Sequence, residues 1–369
     1  MAAGLLLLGG IGLFLWASSG QLSQSELARV RSYTPVSKTT APDSLTVTTY
    51  NVGYLSGMTN NAPVERSDSL FYANMDQVVQ HLREMRPDLV AAQEIDFGGA
   101  RVAHVHQLDT LARRLGYPTA AQAVNWDERY LPFPYGRPAV HFGRTLSGQA
   151  LLSRFPIRRH VRTVLPRPPQ PFYRDAFYLD RLAQVGVLDL GGHPLAVINV
   201  HLEAFEATTR QEQARRVNTL YRRLADAGIP ALLVGDFNST LSTGEADSTR
   251  EADSTREAEG PASSRKKTEA VADRTMQLLL KNTDLRPALA SRTSASGTAT
   301  YPADAPSRQI DYILYSPQFF RVTRAERWCG APAPPSDHCA VTATLQRVST
   351  TGGRPSYEAL PSLLLPGSE

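Results

Sequence analysis

The alternation of apolar and polar positions divides the chain into short strands separated by amphipathic helices. Residues 45–51 alternate and are rich in β-branched side chains, the pattern of a strand whose end presents Asn51. Leu70, Met75, Val78, Val79, Leu82 and Met85 then fall on one helical face until Pro87 stops the run, and residues 89–94 read as a buried strand ending at Glu94. A short helix is predicted over 107–115, closed by Gly116, followed by strands near 149–152, 183–190 and 195–200, the last ending at His201. A helix over 209–226 turns Ala214, Val217, Leu220, Tyr221 and Leu224 inward, and strand 231–235 delivers Asp236. Strands near 310–315, 319–324 and 339–345 complete the pattern, which is that of a layered α/β protein.

Three stretches depart from it. Residues 2–17 form an uncharged, leucine-rich run outside the globular core. At ~1.5 Å per residue it reaches roughly 24 Å, short of a ~30 Å hydrocarbon layer, so it reads as a signal segment or a short anchor. Either reading exports the domain. The chain is therefore divided into an N-terminal signal or anchor (1–20), a polar linker (21–43), a folded domain (44–347) and a tail (348–369). Within the domain, Glu245-Ala-Asp-Ser-Thr-Arg repeats at once as Glu251-Ala-Asp-Ser-Thr-Arg, and 241–268 lacks large apolar residues, so it is expected to be a disordered surface insertion. Residues 154–181 interleave seven arginines with Phe155, Phe172, Tyr173, Phe177 and Tyr178, a pattern that suits a substrate groove or a solvated hairpin equally.

With 369 residues, 42% of them hydrophobic and 20% charged, the chain buries a large core and is neither disordered nor fibrous. A formal charge of +4 leans toward an anionic partner, weakly at this length. Cys329 and Cys339 suit neither a zinc site nor a disulfide framework; either two packed thiols or one bridge closing the loop between them fits the spacing.

Oxygen and imidazole groups gather at the predicted strand ends: Asn51; Glu94; His201; Asp236 with Asn238; Asp311; and the loop Ser336-Asp337-His338. Phosphoester hydrolysis needs such groups to hold a hard cation, orient water and stabilise developing charge. In this order, with Gly235-Asp-Phe-Asn238 and Ser336-Asp-His338 the sharpest matches, they resemble the signature of the endonuclease/exonuclease/phosphatase superfamily, over about residues 45–346. Residues 148–157 are similar to a central strand of that family. The resemblance implies a four-layer α-β-β-α sandwich with two central mixed β-sheets and a metal-dependent phosphoric ester hydrolase.

It also implies roles. Glu94 and Asn51 would hold Mg²⁺ or Mn²⁺, with Asn51 alternatively on the scissile phosphate. Asp236 would orient or deprotonate the attacking water, and Asn238 and His201 would bind phosphoryl oxygens. His338 would protonate the leaving group or stabilise the transition state, oriented by Asp311, while Asp337 reaches metal or phosphate; the two aspartates are interchangeable at this stage. The chain departs from apurinic endonucleases in having Gly53 where some carry an acid, and the Gly- and Asn-rich segment 53–61 takes no assigned role. His104, His106, His141 and His193 read as loop or surface histidines, and Trp126 and Trp328 as packing groups.

The leading expectation is a hydrolase of lipid headgroups or other small phosphoesters, membrane-bound or secreted with its domain outside the cytoplasm, and meeting the membrane through the N-terminal segment. A surface nuclease on DNA or RNA, tracking the phosphate backbone with the arginine-rich stretch, is the first alternative. A non-catalytic phosphate-binding protein is the second. No protein partner is predicted.

Overall fold

A computed structural model describes residues 2–36, 40–241, 272–290 and 297–348. In chain order its elements are α1 (Ala2–Ala17), β1 (Ala28–Ser32), β2 (Ser44–Asn51), α2 (Asp68–Met85), β3 (Leu89–Asp96), α3 (Gln107–Leu115), β4 (Thr119–Leu131), β5 (Gly143–Ser153) and β6 (Ile157–Val164). There follow α4 (Phe172–Asp175), β7 (Leu182–Asp189), β8 (Pro194–His201), α5 (Ala207–Asp226), β9 (Ala231–Asp236), α6 (Thr275–Leu280), β10 (Arg286–Pro287), β11 (Asp311–Tyr315), β12 (Phe320–Trp328) and β13 (Ala340–Arg347). One sheet has the order β1-β4-β5-β3-β2-β13-β12 and the other β10-β11-β9-β8-β7-β6.

Strand alternation sorts side chains into three cores, which makes the four layers. Leu45, Val47, Leu89, Ala91 and Leu151 of the first sheet meet Val197, Leu232, Val234 and Ile313 of the second. Their neighbours face the other way: Tyr50, Val90 and Ala92 pack under Met75, Val78 and Leu82 of α2 and Leu108 and Leu111 of α3. Likewise Ile198, Val200 and Leu233 pack under Val217, Tyr221 and Leu224 of α5 and Met276 and Leu279 of α6. Central strands covered on both faces are apolar nearly throughout, which is why β3, β8 and β9 show as continuous apolar runs in the sequence.

Among the described residues each sheet has one parallel pair, β2 with β3 and β8 with β9, joined across α2 and α5 respectively. A parallel pair directs two strand ends the same way, so Asn51 sits beside Gln93 and His201 beside Asp236 at one edge of the sandwich. A polar layer lies between the sheets just behind that edge. Asn199 accepts from Gln93 Nε2 at 2.6 Å and donates to Gln184 Oε1 at 3.0 Å, and Gln149 Nε2 donates to the Asn199 carbonyl at 2.8 Å; all four side chains are fully buried.

One expectation changes and one open alternative closes. Residues 28–32 are not linker: they form β1, the edge strand paired antiparallel with β4 from Ala28↔Ala123 to Ser32↔Thr119. Arg29 and Arg31 alternate with small or exposed neighbours there, so an edge strand with little to bury carries no strong hydrophobic signal. Cys329 and Cys339 form a disulfide, because β12 and β13 are immediate neighbours with Trp328 opposite Ala340. The low-complexity repeats and nearly all of the tail, by contrast, lie outside the described residues.

The apolar run is helical as α1, with Leu5, Leu6, Leu7, Leu8 and Leu15 at least 60% exposed. No helix among the described residues is long and apolar enough to cross a membrane. Trp126 and Trp328 are packing groups as expected: Trp126 sits in an aromatic cluster with Phe142 and Phe177, and Trp328 stacks on His81 with ring centroids 4.1 Å apart.

Candidate active site

The eight residues singled out from the sequence stand at neighbouring ends of the two sheets. Asn51 ends β2, and its Nδ2 is the hub: it lies 3.3 Å from Glu94 Oε1, 2.9 Å from Asp236 Oδ2 and 3.4 Å from His338 Nε2. Its Oδ1 takes the Gly53 N–H at 3.1 Å, so a metal ligand at Asn51 requires the opposite amide orientation. Glu94 reaches the hub through a register shift between Ala92 and Ile95, where β3 bulges against β5 and Glu94 adopts φ +48°. A left-handed glutamate is strained backbone held by its surroundings, and here the bulge re-aims the carboxylate into the cleft.

Asp311 pairs with Asp236 across the antiparallel β9/β11 register. Its carboxylate grips His338 Nδ1 at 3.0 and 3.2 Å, leaving Nε2 toward the cleft, 3.7 Å from Asp236 Oδ2. Burial alone would lower the His338 pKa, but Asp311 and Asp236 outweigh it and hold the imidazole cationic well above its usual range. Asp236 is pushed upward, chiefly by burial. Its Oδ1 accepts from the Asn238 amide at 2.9 Å, and Asn238, at φ +49°, uses one side-chain N–H on the Leu202 carbonyl at 3.0 Å.

Asp337 stands with Glu94 rather than with His338's Nδ1, which separates the two aspartates that the sequence left interchangeable. Asn60 Nδ2 bridges them, 2.9 Å from Glu94 Oε2 and 3.4 Å from each Asp337 oxygen. Burial and the nearby Glu94 charge raise Asp337 to about 6, against the pull of His338. A methyl group on Gly53, at φ +49°, would come within 2.6 Å of Asp337 Oδ1. The room that a side chain two places after Asn51 would take is thus filled by Asp337 from the far end of the chain.

His201 is held differently from expectation. Its Nε2 lies 2.7 Å from Arg181 Nη1, and 3.6 and 3.8 Å from Asp236 and Glu94 oxygens. Burial first, then Arg181 and His338, push its pKa well down, so it is a neutral acceptor and Arg181 carries the charge. Burial opposes that charge, but Glu203, Tyr178, Glu94 and Asp236 raise the Arg181 pKa overall. Glu203 lies 3.5 Å from Arg181 Nε and accepts from Tyr178 OH at 2.6 Å.

Asn60, Arg181, Glu203 and Tyr178 were not assigned from the sequence. Asn60 lies in the Gly- and Asn-rich segment whose role was open, and Arg181 is the last arginine of the basic stretch. In both cases composition marked the region but not the residue. Of the other six arginines in that stretch, four have partners within the chain: Arg154 lies over Tyr117, Arg158 pairs with Asp189, Arg162 with Asp180, and Arg167 with Asp175 and Asp180. Of the four uncommitted histidines, His106 caps α3 by accepting from the Asp109 amide at 3.2 Å, and His141 bonds Tyr130 OH at 2.8 Å.

A sandwich that brings carboxylates, an imidazolium and buried amides to the joined ends of two parallel strand pairs is the framework of a phosphoester hydrolase. The chain belongs to the Endonuclease/Exonuclease/phosphatase family, whose members are phosphoester hydrolases, by a match over residues 48–338. Among solved structures it is similar to an endonuclease/exonuclease/phosphatase from Beutenbergia cavernae, at 20% identity and a TM-score of 0.58, covering 85% of this chain and 73% of that one. The human Nocturnin catalytic domain with bound sulfate follows at 15% identity and 0.52, covering 89% and 100%. A mannosyl-6-phosphatase from Bacteroides thetaiotaomicron aligns at 17% and 0.50, covering 82% and 99%. At these identities the likeness is one of fold. No curated protein matches the chain.

Proposed function

We propose that this protein is a divalent-metal-dependent phosphoester hydrolase acting outside the cytoplasm on lipid headgroups or other small phosphoesters. The observation that carries the hydrolase reading is the convergence of Asn51, Glu94, Asp236 and the Asp311–His338 pair within hydrogen-bond reach of one another.

The donor set fits a hard cation on the Glu94 side. Glu94 and Asp337 face each other across Asn60, and the Asn60 Oδ1 is buried without a hydrogen-bond partner. Two carboxylates suit Mg²⁺ or Mn²⁺, and the Asn60 amide, whose Nδ2 now faces both, would join them by turning its unpartnered Oδ1 toward the cation. Asp236, Asp311 and His338 also bring ligand atoms within 4.8 Å of one another. In that trio the Asp311 carboxylate is already spent on His338 Nδ1, so it offers a cation fewer free oxygens than the Glu94 side. When bound, the ion would neutralise a non-bridging phosphoryl oxygen and polarise the phosphorus.

The chain's own groups supply the proton traffic. Asp236, held by Asn51 and the Asn238 amide, orients the attacking water and takes its proton. His338, kept cationic by Asp311, donates from Nε2 to the leaving oxygen. Arg181 offers a buried positive charge to the phosphoryl group, with neutral His201 fixed beside it. Asn238 keeps a second N–H for a phosphoryl oxygen.

The apolar α1 and the Cys329–Cys339 bond support an extracytoplasmic site, since disulfides persist in oxidising compartments. The intramolecular partners of most basic-stretch arginines favour a small phosphoester over a nucleic-acid backbone. The test is turnover by the full chain in detergent, retained because β1 precedes residue 44. DNA, RNA, phospholipids, sphingomyelin, inositol phosphates and bis(p-nitrophenyl) phosphate would be offered with Mg²⁺ and with Mn²⁺. Turnover of nucleic acid alone overturns the substrate assignment, and turnover of none overturns the enzyme assignment.

A further inference from the structure

An exposed aromatic rim stands beside the site, and the mechanism does not use it. Phe172 is 77% exposed, Tyr173 53% and Phe205 65%. Phe172 and Tyr173 lie on α4 and Phe205 in the loop after His201, and Glu203 ties that loop to Tyr178 in the segment following α4: its Oε1 accepts from the Phe205 amide at 3.1 Å and its Oε2 from Tyr178 OH at 2.6 Å. The same carboxylate pairs with Arg181, which touches His201. The rim is therefore one ion pair away from the reacting groups.

It is also continuous with α1. Phe14 meets Phe177 and Phe172 edge-on, with ring centroids 5.5 and 6.1 Å apart. The chain leaving the helix is fixed to β4: Asp127 Oδ2 accepts from the Gln21 and Leu22 amides at 2.8 Å each, and the Arg129 amide donates to the Ser19 carbonyl at 3.1 Å. The helix thus meets the domain at the rim.

The chemistry of α1 identifies what covers this face. A helix made to lie in a protein groove carries one apolar stripe and a polar back. Within α1 there is no charged side chain, and its leucines are exposed on several sides, so all of the helix away from its contact with Phe172 and Phe177 calls for hydrocarbon. Its end lies against Phe172, and aromatic rings favour the boundary between acyl chains and headgroups.

We propose that Phe172, Tyr173 and Phe205 dock on the bilayer that receives α1, holding the mouth of the site at the headgroup layer. The proposal rests on the lipid-headgroup reading for its functional meaning. Docking itself is measured without turnover, so the two fail separately.

The experiment uses full-chain protein carrying W16F, into which one tryptophan is introduced as F172W, F205W or, on α2, Y72W. Each variant is mixed with phosphatidylcholine–phosphatidylglycerol vesicles whose acyl chains are brominated near the headgroup, and the emission of W16F alone is subtracted. The emission of the indole introduced by F172W or F205W should fall at least about twofold, while that introduced by Y72W keeps its intensity. Quenching no greater in F172W and F205W than in Y72W, while Trp16 of the wild type is quenched, overturns the proposal. F172S/F205S should hydrolyse soluble bis(p-nitrophenyl) phosphate at the wild-type rate but a vesicle-embedded phosphoester about tenfold more slowly; equal rates on vesicles also overturn it. A concentration-dependent dimer abolished by F172S/F205S would assign the rim to a second copy and overturn it as well. Absence of all turnover with normal quenching leaves docking standing and removes the hydrolase reading instead.

Discussion

Asn199→Leu isolates the polar layer behind the site. Leucine repeats the branched outline of asparagine atom for atom, so the substitution opens no cavity and its main cost falls on hydrogen bonds. Four bonds disappear: the one accepted from Gln93 Nε2 and those donated to Gln184 Oε1 and to the carbonyls of Ala92 and Ala150. Gln93 Nε2 keeps partners in Thr49 Oγ1 and the Ala91 carbonyl, each at 3.2 Å. Gln184 Oε1 is the acceptor left stranded, at roughly 1–3 kcal/mol. The other bonds add roughly 0.5–1 kcal/mol each, and the extra apolar burial returns ~1–2 kcal/mol. The net loss is about 3 kcal/mol, or roughly 5 °C in Tm for a domain of this size. Urea unfolding of the oxidised protein, followed by fluorescence and circular dichroism, measures it. Adding Gln184→Met removes the stranded acceptor, so the double variant should lose at least ~1 kcal/mol less than the sum of the singles. A loss below ~1 kcal/mol for Asn199→Leu, or strict additivity, refutes the reasoning.

Glu94→Gln should keep its fold but lose turnover, with Mn²⁺ affinity by calorimetry weakened about tenfold or more; unchanged affinity moves the cation elsewhere. His338→Ala and Asp236→Ala should each lower kcat by roughly 10²–10⁴, and the double variant should be little worse than either, whereas multiplied losses would separate their steps. Reducing the Cys329–Cys339 bond, whose loop closure contributes about 2–3 kcal/mol, should lower activity at temperatures where circular dichroism is still native; parallel loss of both signals contradicts this. His160, held by burial at about 4 in the folded protein, is neutral there while the unfolded chain protonates near 6.5. Its stabilising share is complete above pH 6.5 and shrinks as pH falls toward 4, by roughly 2 kcal/mol after allowance for partial exposure. His160→Leu should flatten the stability–pH curve over that window, and an unchanged slope assigns the titration to another group.

The sequence made the central strands and the site legible for one physical reason. β3, β8 and β9 are covered on both faces, so their apolar runs are nearly continuous, β2 alternates with β-branched residues, and the polar residue that ends each strand stands out. Asn51, Glu94, His201 and Asp236 were readable in that way, and family order supplied Asp311, Asp337 and His338. The edges were not readable. β1 is short, with Arg29 exposed and Arg31 tied to Gln122 and Asp109, and β4, with small and polar residues along Thr119–Leu131, has no strong alternation. Arg181 and Asn60 act through contacts 20 and 34 positions away in the chain, with His201 and Glu94, and no local pattern records such a distance.

The two parallel strand pairs have a consequence for when the protein becomes competent. Asn51 and Glu94 come with one sheet, His201 and Asp236 with the other, and His338 stands just before β13, which closes the first sheet by pairing with β2 some three hundred positions earlier. Neither sheet alone holds both the proposed cation side and the proposed base. Either sheet without the other therefore lacks part of the candidate site, and contacts of such long sequence separation form slowly. The candidate site is complete only once β13, the last strand among the described residues, has paired with β2, so assembly of the site reports the closing of the first sheet.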